Sequence, residues 1–365
     1  MGRRSVHEKG KSNMFVNGLG TAVPAQRYSK AQCWSAFQAS DWFARLGPRA
    51  HWVTNAVLTR DNGIETRYLA IEALEDVFRI DPDTLHQRFT ENAPSLAQNA
   101  ALKALDQARL APHQIDAIVI STCTGYLCPG LSGYVAQYLG LRSNVQAFDL
   151  VGQGCAAALP NFNLSHALLA SGQCQHVLSV CVEVCSAAIY LDDDPGVLIS
   201  ACLFGDGAGA AVLSQIPQES VRRIEWQDSE SLLDPAQRNA LKFESRQGLL
   251  RNILTRQVPT LAADYAHRVL ETVMQRVGRD AADITAWIMH AGGRDVLLAI
   301  EKKFGLDAQD LRYSARVLRD YGNLSSAFVY FVLEAALVDR APAGAWWLSS
   351  FGAGFCCHGA LLSVE

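Results

Sequence analysis

Apolar residues recur along this chain with two alternating periods, and the alternation itself repeats. In "ALKALDQARLAPHQIDAIVISTCTG" a helical spacing gives way to a turn and an apolar strand predicted from Ile115 to Ile120. In "VLETVMQRVGRDAADITAWIMHAGG" the same order returns, with the strand predicted from Ile284 to Met289, 169 residues further on. A short loop and a helical run ending in "YLGL" or "KFGL" follow each strand. Then Cys155 and Asn323, 168 residues apart, each precede an apolar helical run. "FGDGAGAAVLS" from Phe204 and "FGAGFCCHGALLS" from Phe351 close the two blocks as glycine-rich turns entering uncharged strands. This ordered recurrence predicts a duplication, with halves at residues 1–217 and 218–365.

The runs after Cys155 and Asn323 set the architecture. "AAALPNFNLSHALLASG" carries no formal charge and "LSSAFVYFVLEAALV" carries only Glu334. A helix apolar on every side is buried on every side. One such helix per half, packed between two sheets with amphipathic helices over Ala97–Leu110 and Ala263–Val277 outside, is an α/β fold. It has five layers, αβαβα, and a pseudo-twofold axis. Pro160 removes a backbone donor early in the first buried helix and predicts a kink or a delayed start there.

Composition excludes several functions. With 365 residues, 49% hydrophobic and 19% charged, the chain can bury a large core. A net charge of −4 without a long Lys or Arg block offers no footprint for nucleic acid or an anionic bilayer. The longest uncharged stretch, Val151 to Val182, is interrupted by Gln153, Asn161, Asn163 and His166, too polar to span a membrane. The ten cysteines include no Cys-x-x-Cys pair and sit in apolar runs such as "VLSVCVEVC", the pattern of small buried hydrophobes rather than zinc or disulfides. The start "MGRRSVHEKGKSN" lacks the apolar core of a secretory signal, so it reads as a flexible extension of a cytoplasmic protein. The acidic run Asp192–Asp194 reads as a solvated turn.

Chemistry enters with three residues. Cys155 opens a buried helix, where the macrodipole and free N–H groups favour a thiolate. Burial alone opposes ionisation, so a cationic or hydrogen-bonding partner is required. His290 ends a predicted strand and begins the turn "HAGGRD", a strand C-terminus of the kind where α/β proteins build sites. Asn323, after "RDYG", either caps its helix or points an amide into the same cavity.

"GQGCAAA" around Cys155, "WIMHAGGRDVL" around His290, "YGNLSSA" around Asn323 and "FGAGF" from Phe351 resemble, in order and spacing, the four signatures of the type III polyketide synthases. These form the chalcone-synthase-like branch of the thiolase superfamily, and the resemblance runs from about Phe15 to the C-terminus. It implies that Cys155 takes the starter acyl group from an acyl-CoA, with His290 holding the sulfur as a thiolate–imidazolium pair. His290 and Asn323 would then stabilise the enolate left by decarboxylation of malonyl-CoA, and the extended chain cyclises in the same pocket. No metal or other cofactor is implied, and a homodimer is. Phe204 matches the aromatic gatekeeper of these enzymes, while Asn252 stands near the place of a second gatekeeping phenylalanine. Cys123, Cys128, Ala188 and Ser325 match cavity positions, Cys128 one that reaches across the dimer interface, and Arg60 and Arg67 are the candidates for CoA. "KFESRQGLLRNILTRQVP" resembles bacterial relatives that extend fatty acyl-CoA starters to alkylresorcinols or alkylpyrones.

Three rivals stand beside this. A carrier-protein-dependent initiating β-ketoacyl synthase shares the fold and the Cys, His and Asn chemistry, but reads His-Gln-Ala-Asn where this chain has "HAGG". A papain-like hydrolase leaves the duplication unexplained. A non-catalytic scaffold would make Cys155 an ordinary core thiol.

Overall fold

The computed structural model describes residues 13–219 and 221–365, so the expectation made for the N-terminal extension lies, up to residue 12, outside the described residues. The strands of the first half are β1 (Met14–Ala22), β2 (Arg27–Ser29), β3 (Thr66–Tyr68), β4 (Ala117–Ser121), β5 (Gln146–Leu150), β6 (His176–Glu183) and β7 (Gly207–Ser214). Those of the second are β8 (Ile224–Leu233), β9 (Leu241–Arg246), β10 (Leu249–Leu254), β11 (Ile284–Met289), β12 (Gly344–Gly352) and β13 (Cys356–Val364). Nine of them run in the order β11-β12-β13-β8-β1-β7-β6-β4-β5, while β2/β3 and β9/β10 form separate two-stranded ribbons.

The duplication is visible in the pairing. From β1, its neighbours β7 and β6 are antiparallel and β4 joins β6 in parallel; from β8, its neighbours β13 and β12 are antiparallel and β11 joins β12 in parallel. The two sheets meet through Met14↔Trp226 and Phe15↔Glu225 alone, so they form one ladder at a single corner. The symmetry is incomplete: β5 extends the first half, and among the described residues nothing pairs on the corresponding side of β11.

The uncharged runs become the helices Ala158–Ala170 and Phe328–Val338, and each touches strands of both halves. Phe162 and Tyr330 meet between them with ring centroids 5.4 Å apart. Helix Pro82–Ala108 covers β1, β7 and β6 from outside through a buried stripe of Ala93, Ala97, Ala100, Ala101 and Ala104, small side chains that let helix and sheet approach closely. Helix Val258–Val277 covers β8 and β13 on the other side. The five layers follow. The helix with Pro160 begins only at Ala158, after a 3₁₀ turn over Gly154–Ala156, which leaves Cys155 in the turn rather than in the helix.

Candidate active site

Cys155 owes its position to glycine. Gly152 and Gly154 have φ of +81° and +54°, a region that costs a side-chain-bearing residue steric strain, and they turn the chain from β5 into the 3₁₀ turn. The turn is braced by the β12 end: Ser350 Oγ donates to the Ala156 carbonyl at 3.0 Å, and Gly352 packs on the Gln153 and Ala156 backbone.

Cys155 opens onto a mostly apolar cavity whose lining includes Cys123, Ala188, Phe204, Asn252 and Ser325. Five residues singled out by sequence thus share one space with the sulfur. Ser200 and Phe243 also line it, and Asn252 Nδ2 donates to Ser200 Oγ at 2.8 Å. A hydroxyl and an amide therefore occupy a wall that would otherwise be hydrocarbon.

Ser325 ties the site together. Its Oγ lies 3.2 Å from Cys155 Sγ and 3.4 Å from Cys123 Sγ, and its N–H donates to Asn323 Oδ1 at 2.8 Å. Asn323 Nδ2 gives one hydrogen to the Gly292 carbonyl at 3.0 Å, so a second remains available. The Asn323 backbone pairs with Leu203 and Gly205, on either side of Phe204.

His290 is buried against Phe328 and Phe351, with centroids 5.2 and 4.9 Å away, and neither ring nitrogen has a hydrogen-bond partner. Desolvation works against the thiolate–imidazolium pair that the family resemblance implies. Burial pushes the Cys155 thiol up to about 12, against the lowering effect of Ser325 Oγ, and burial pulls the His290 imidazole down to about 3. Among the described residues no hydrogen bond joins the Cys155 thiol to the His290 imidazole. Low dielectric disfavours each ion separately.

Sequence reading missed Glu183. It is fully buried at the end of β6, its carboxyl raised by desolvation. The donors around it are Cys123 N (3.0 Å), Thr124 Oγ1 (3.0 Å), Thr122 Oγ1 (3.2 Å), Ser325 Oγ (3.3 Å) and Ser326 Oγ. It anchors both the Cys123 loop and the Ser325 turn. The signal was present, as a single charge at the end of a strand buried on both faces.

Residues 65–273 match the family model described as FAE1/Type III polyketide synthase-like protein, and residues 229–361 match the C-terminal domain of chalcone and stilbene synthases. The chain belongs to the type III polyketide synthase family. A 3,5-dihydroxyphenylacetyl-CoA synthase of Streptomyces toyocaensis is 28% identical over 333 residues, covering 89% of this chain and 83% of the relative. Another of that name, from Amycolatopsis orientalis, is 32% identical over 214 residues, 58% of each chain. Among solved structures, the type III polyketide synthase domain of Steely1 from Dictyostelium superposes with a TM-score of 0.87 at 24% identity, covering 96% of this chain and 99% of that one. The 1,3,6,8-tetrahydroxynaphthalene synthase of Streptomyces coelicolor A3(2) gives 0.85 at 24% identity, with the same coverage. These likenesses show the thiolase-like fold.

Other candidates of this type III polyketide synthase lie away from the cavity. Cys128 is exposed and outside the cavity of its own chain. Arg60 is at the surface with its guanidinium over the Trp52 ring at 5.9 Å. Arg67 does not reach the surface expected for a CoA contact: it is buried, and its Nη1 donates to the Ala201 and Phe204 carbonyls at 3.0 and 3.1 Å. The acidic run is not simply solvated. Asp192 and Asp194 hold Arg251 of the cavity-wall hairpin β9/β10 at 2.8 and 3.0 Å, and Asp193 accepts from Gly47 N at 3.0 Å. Among the described residues no His, Cys, Asp and Glu cluster is arranged for a metal, and no helix is long and apolar enough to cross a membrane.

Proposed function

We propose that this synthase loads a fatty acyl group from its CoA thioester onto Cys155, extends it with malonyl-CoA, and closes the chain to an alkylresorcinol or alkylpyrone. The observation that carries the reading is the Cys155 sulfur facing a mostly apolar cavity, with Ser325 linking it to the Asn323 carboxamide. The Cys155 proton passes to His290 as sulfur attacks the thioester carbonyl, and the imidazolium returns it to the departing CoA sulfur. The unpartnered ring nitrogens support this role, since a buried polar atom without a partner is costly to maintain. Malonyl-CoA then loses carbon dioxide, and its carbon–carbon bonding pair becomes an enolate. The free Asn323 Nδ2 hydrogen and a His290 N–H would donate to the enolate oxygen, each worth a few kcal/mol in a dry site. The enolate carbon attacks the acyl group on Cys155, and the carbon–sulfur bond breaks.

Phe204 gates the cavity and Cys123, Ala188, Asn252 and Ser325 shape it, while Arg60 at the surface contacts CoA. The division at residues 217/218, the homodimer, Cys128 as its interface residue and a cytoplasmic location belong to the same reading. The family match weighs against the carrier-protein-dependent alternative.

The test is mass spectrometry of products from a panel of acyl-CoA starters with malonyl-CoA, without carrier protein, for the native chain and Cys155→Ala. Alkylated aromatic or pyrone products that vanish in Cys155→Ala are expected. Exclusive use of aromatic starters, or of malonyl-CoA alone, would end the fatty-chain assignment, and a strict need for carrier protein would end the whole reading.

A further inference from the structure

A second cavity adjoins the catalytic one, and none of the steps above uses it. The two share Leu69, Ile189 and Ala201 as a common wall. Phe37, Leu58, Leu74, Val77, Phe78 and Leu198 give the second one hydrocarbon walls. Among the described residues a single cation lines it. Arg67 is 8% exposed; desolvation opposes its charge, but the neighbouring Cys33, Cys202 and Asp206 outweigh that and hold the guanidinium above its ordinary value.

A guanidinium carries five N–H donors in one plane and stays protonated. Here Nη1 serves two main-chain carbonyls, and among the described residues no carboxylate lies within ion-pair distance of the group. The carboxyl that acts on it electrostatically, Asp206, is engaged elsewhere: its oxygens accept from Ala70 N at 2.6 Å and from Ser186 N and Oγ at 2.8 and 2.6 Å. The Cys33 thiol, a weak acceptor, faces the remaining donors. A buried charge without a counterion is among the most costly arrangements in a folded protein.

We infer that this cavity is a binding site for an apolar-tailed carboxylate, a free fatty acid, whose head pairs with Arg67 and whose tail lies along the Phe37, Leu58 and Phe78 walls. A carboxylate matches the guanidinium fork and supplies the missing anion in one group. A CoA phosphate does not fit, because it brings multiple charges to a cavity with one cation. An occupant here bears on the residue whose Nη1 holds the Phe204 carbonyl, so the site touches the gate of the catalytic cavity. The inference goes beyond the condensation reading and stands whether or not that reading holds.

Isothermal titration of the native chain with dodecanoate, dodecan-1-ol, dodecylammonium, acetate and inorganic phosphate tests it. Dodecanoate should bind one per chain and at least about tenfold tighter than each of the others, the weight of a charge-assisted hydrogen bond. Arg67→Met should erase the preference for acid over alcohol. Cys33→Phe, which fills only this cavity, should abolish dodecanoate binding, whereas Asn252→Phe, which narrows only the catalytic cavity, should leave it. Equal affinity for acid and alcohol overturns the site on the native chain alone, even if Arg67→Met fails to fold. Tight binding of acetate or phosphate overturns the tail's role, and loss of dodecanoate in Asn252→Phe but not in Cys33→Phe moves the ligand into the catalytic cavity.

Discussion

Gly352→Ala tests whether the nucleophile's turn is held in place by the end of β12. A Cβ at Gly352 would lie 2.7 Å from Ala156 N, 2.7 Å from Gln153 O and 3.0 Å from Ala156 Cβ. Two of these are backbone atoms of the Cys155 turn, which cannot swing aside as a side-chain end does. Restoring an ordinary 3.4 Å contact takes a displacement of 0.7 Å. Ser350 Oγ clamps the Ala156 carbonyl and Ala353 packs on Gly154, so the turn between them bears the shift. Overpacking of this kind costs about 1–3 kcal/mol, and a misplacement of about 1 Å in a reacting group costs roughly a hundredfold in rate. The expected outcome is a drop in kcat of about 10- to 100-fold, with starter KM little changed because Phe204 and Asn252 stay in place, and a melting temperature a few degrees lower. Gly133→Ala, in helix Leu131–Leu139 with nothing within 4 Å of its Cβ, is the control and should keep the parental kcat with a melting temperature no lower than the parent's. Steady-state product formation and thermal unfolding read the pair. A Gly352→Ala variant with parental kcat and melting temperature would refute the bracing argument.

Glu183→Gln keeps the shape but sets an NH₂ against donors that need an acceptor, so denaturant unfolding should show a loss of about 1–3 kcal/mol; an unchanged midpoint would remove Glu183 as an anchor. His290 is held neutral, its value depressed from 6.5 to about 3 by burial. The unfolded chain binds a proton that the native state refuses between those values, so stability is full above pH 6.5 and falls as pH drops toward 3, by up to about 1.4 kcal/mol per unit. Urea midpoints across that range should show this slope flattened in His290→Asn, and equal slopes would contradict the assignment. With the Cys155 thiol raised to about 12, its alkylation by iodoacetamide in the resting enzyme should be slow at pH 7 and rise about tenfold per unit above it. Rapid labelling that is flat from pH 6 to 8 would instead reveal a preformed ion pair with His290.

Sequence periodicity located what local burial dictates. Strand β11 falls at Ile284–Met289 as predicted, and the uncharged runs are the central helices. Cys155, Cys123, Phe204, Ala188 and Ser325, at turns or helix ends, meet Asn252 of the β9/β10 ribbon in one cavity. What escaped depends on partners distant in sequence. The helices between Lys30 and Thr59, which wall the second cavity, have no repeat counterpart to announce them, and β5 lacks a partner in the second half.

Glu183 and Arg67 sharpen the reason. Each is a charge adjoining apolar residues, in "VCVEVC" and "TRYLAI". The fold buries both, and burial turns a charge into a demand for partners. Glu183 meets that demand with donors from Cys123, Thr124 and Ser326, the last 143 residues away, and so becomes an anchor of the catalytic turn. Arg67 meets it with two carbonyls and no anion. The same physical rule thus explains a completed hydrogen-bond network at one position and, at the other, a buried guanidinium without a carboxylate partner beside a cavity, which is why Arg67 rather than Glu183 directs attention to a ligand.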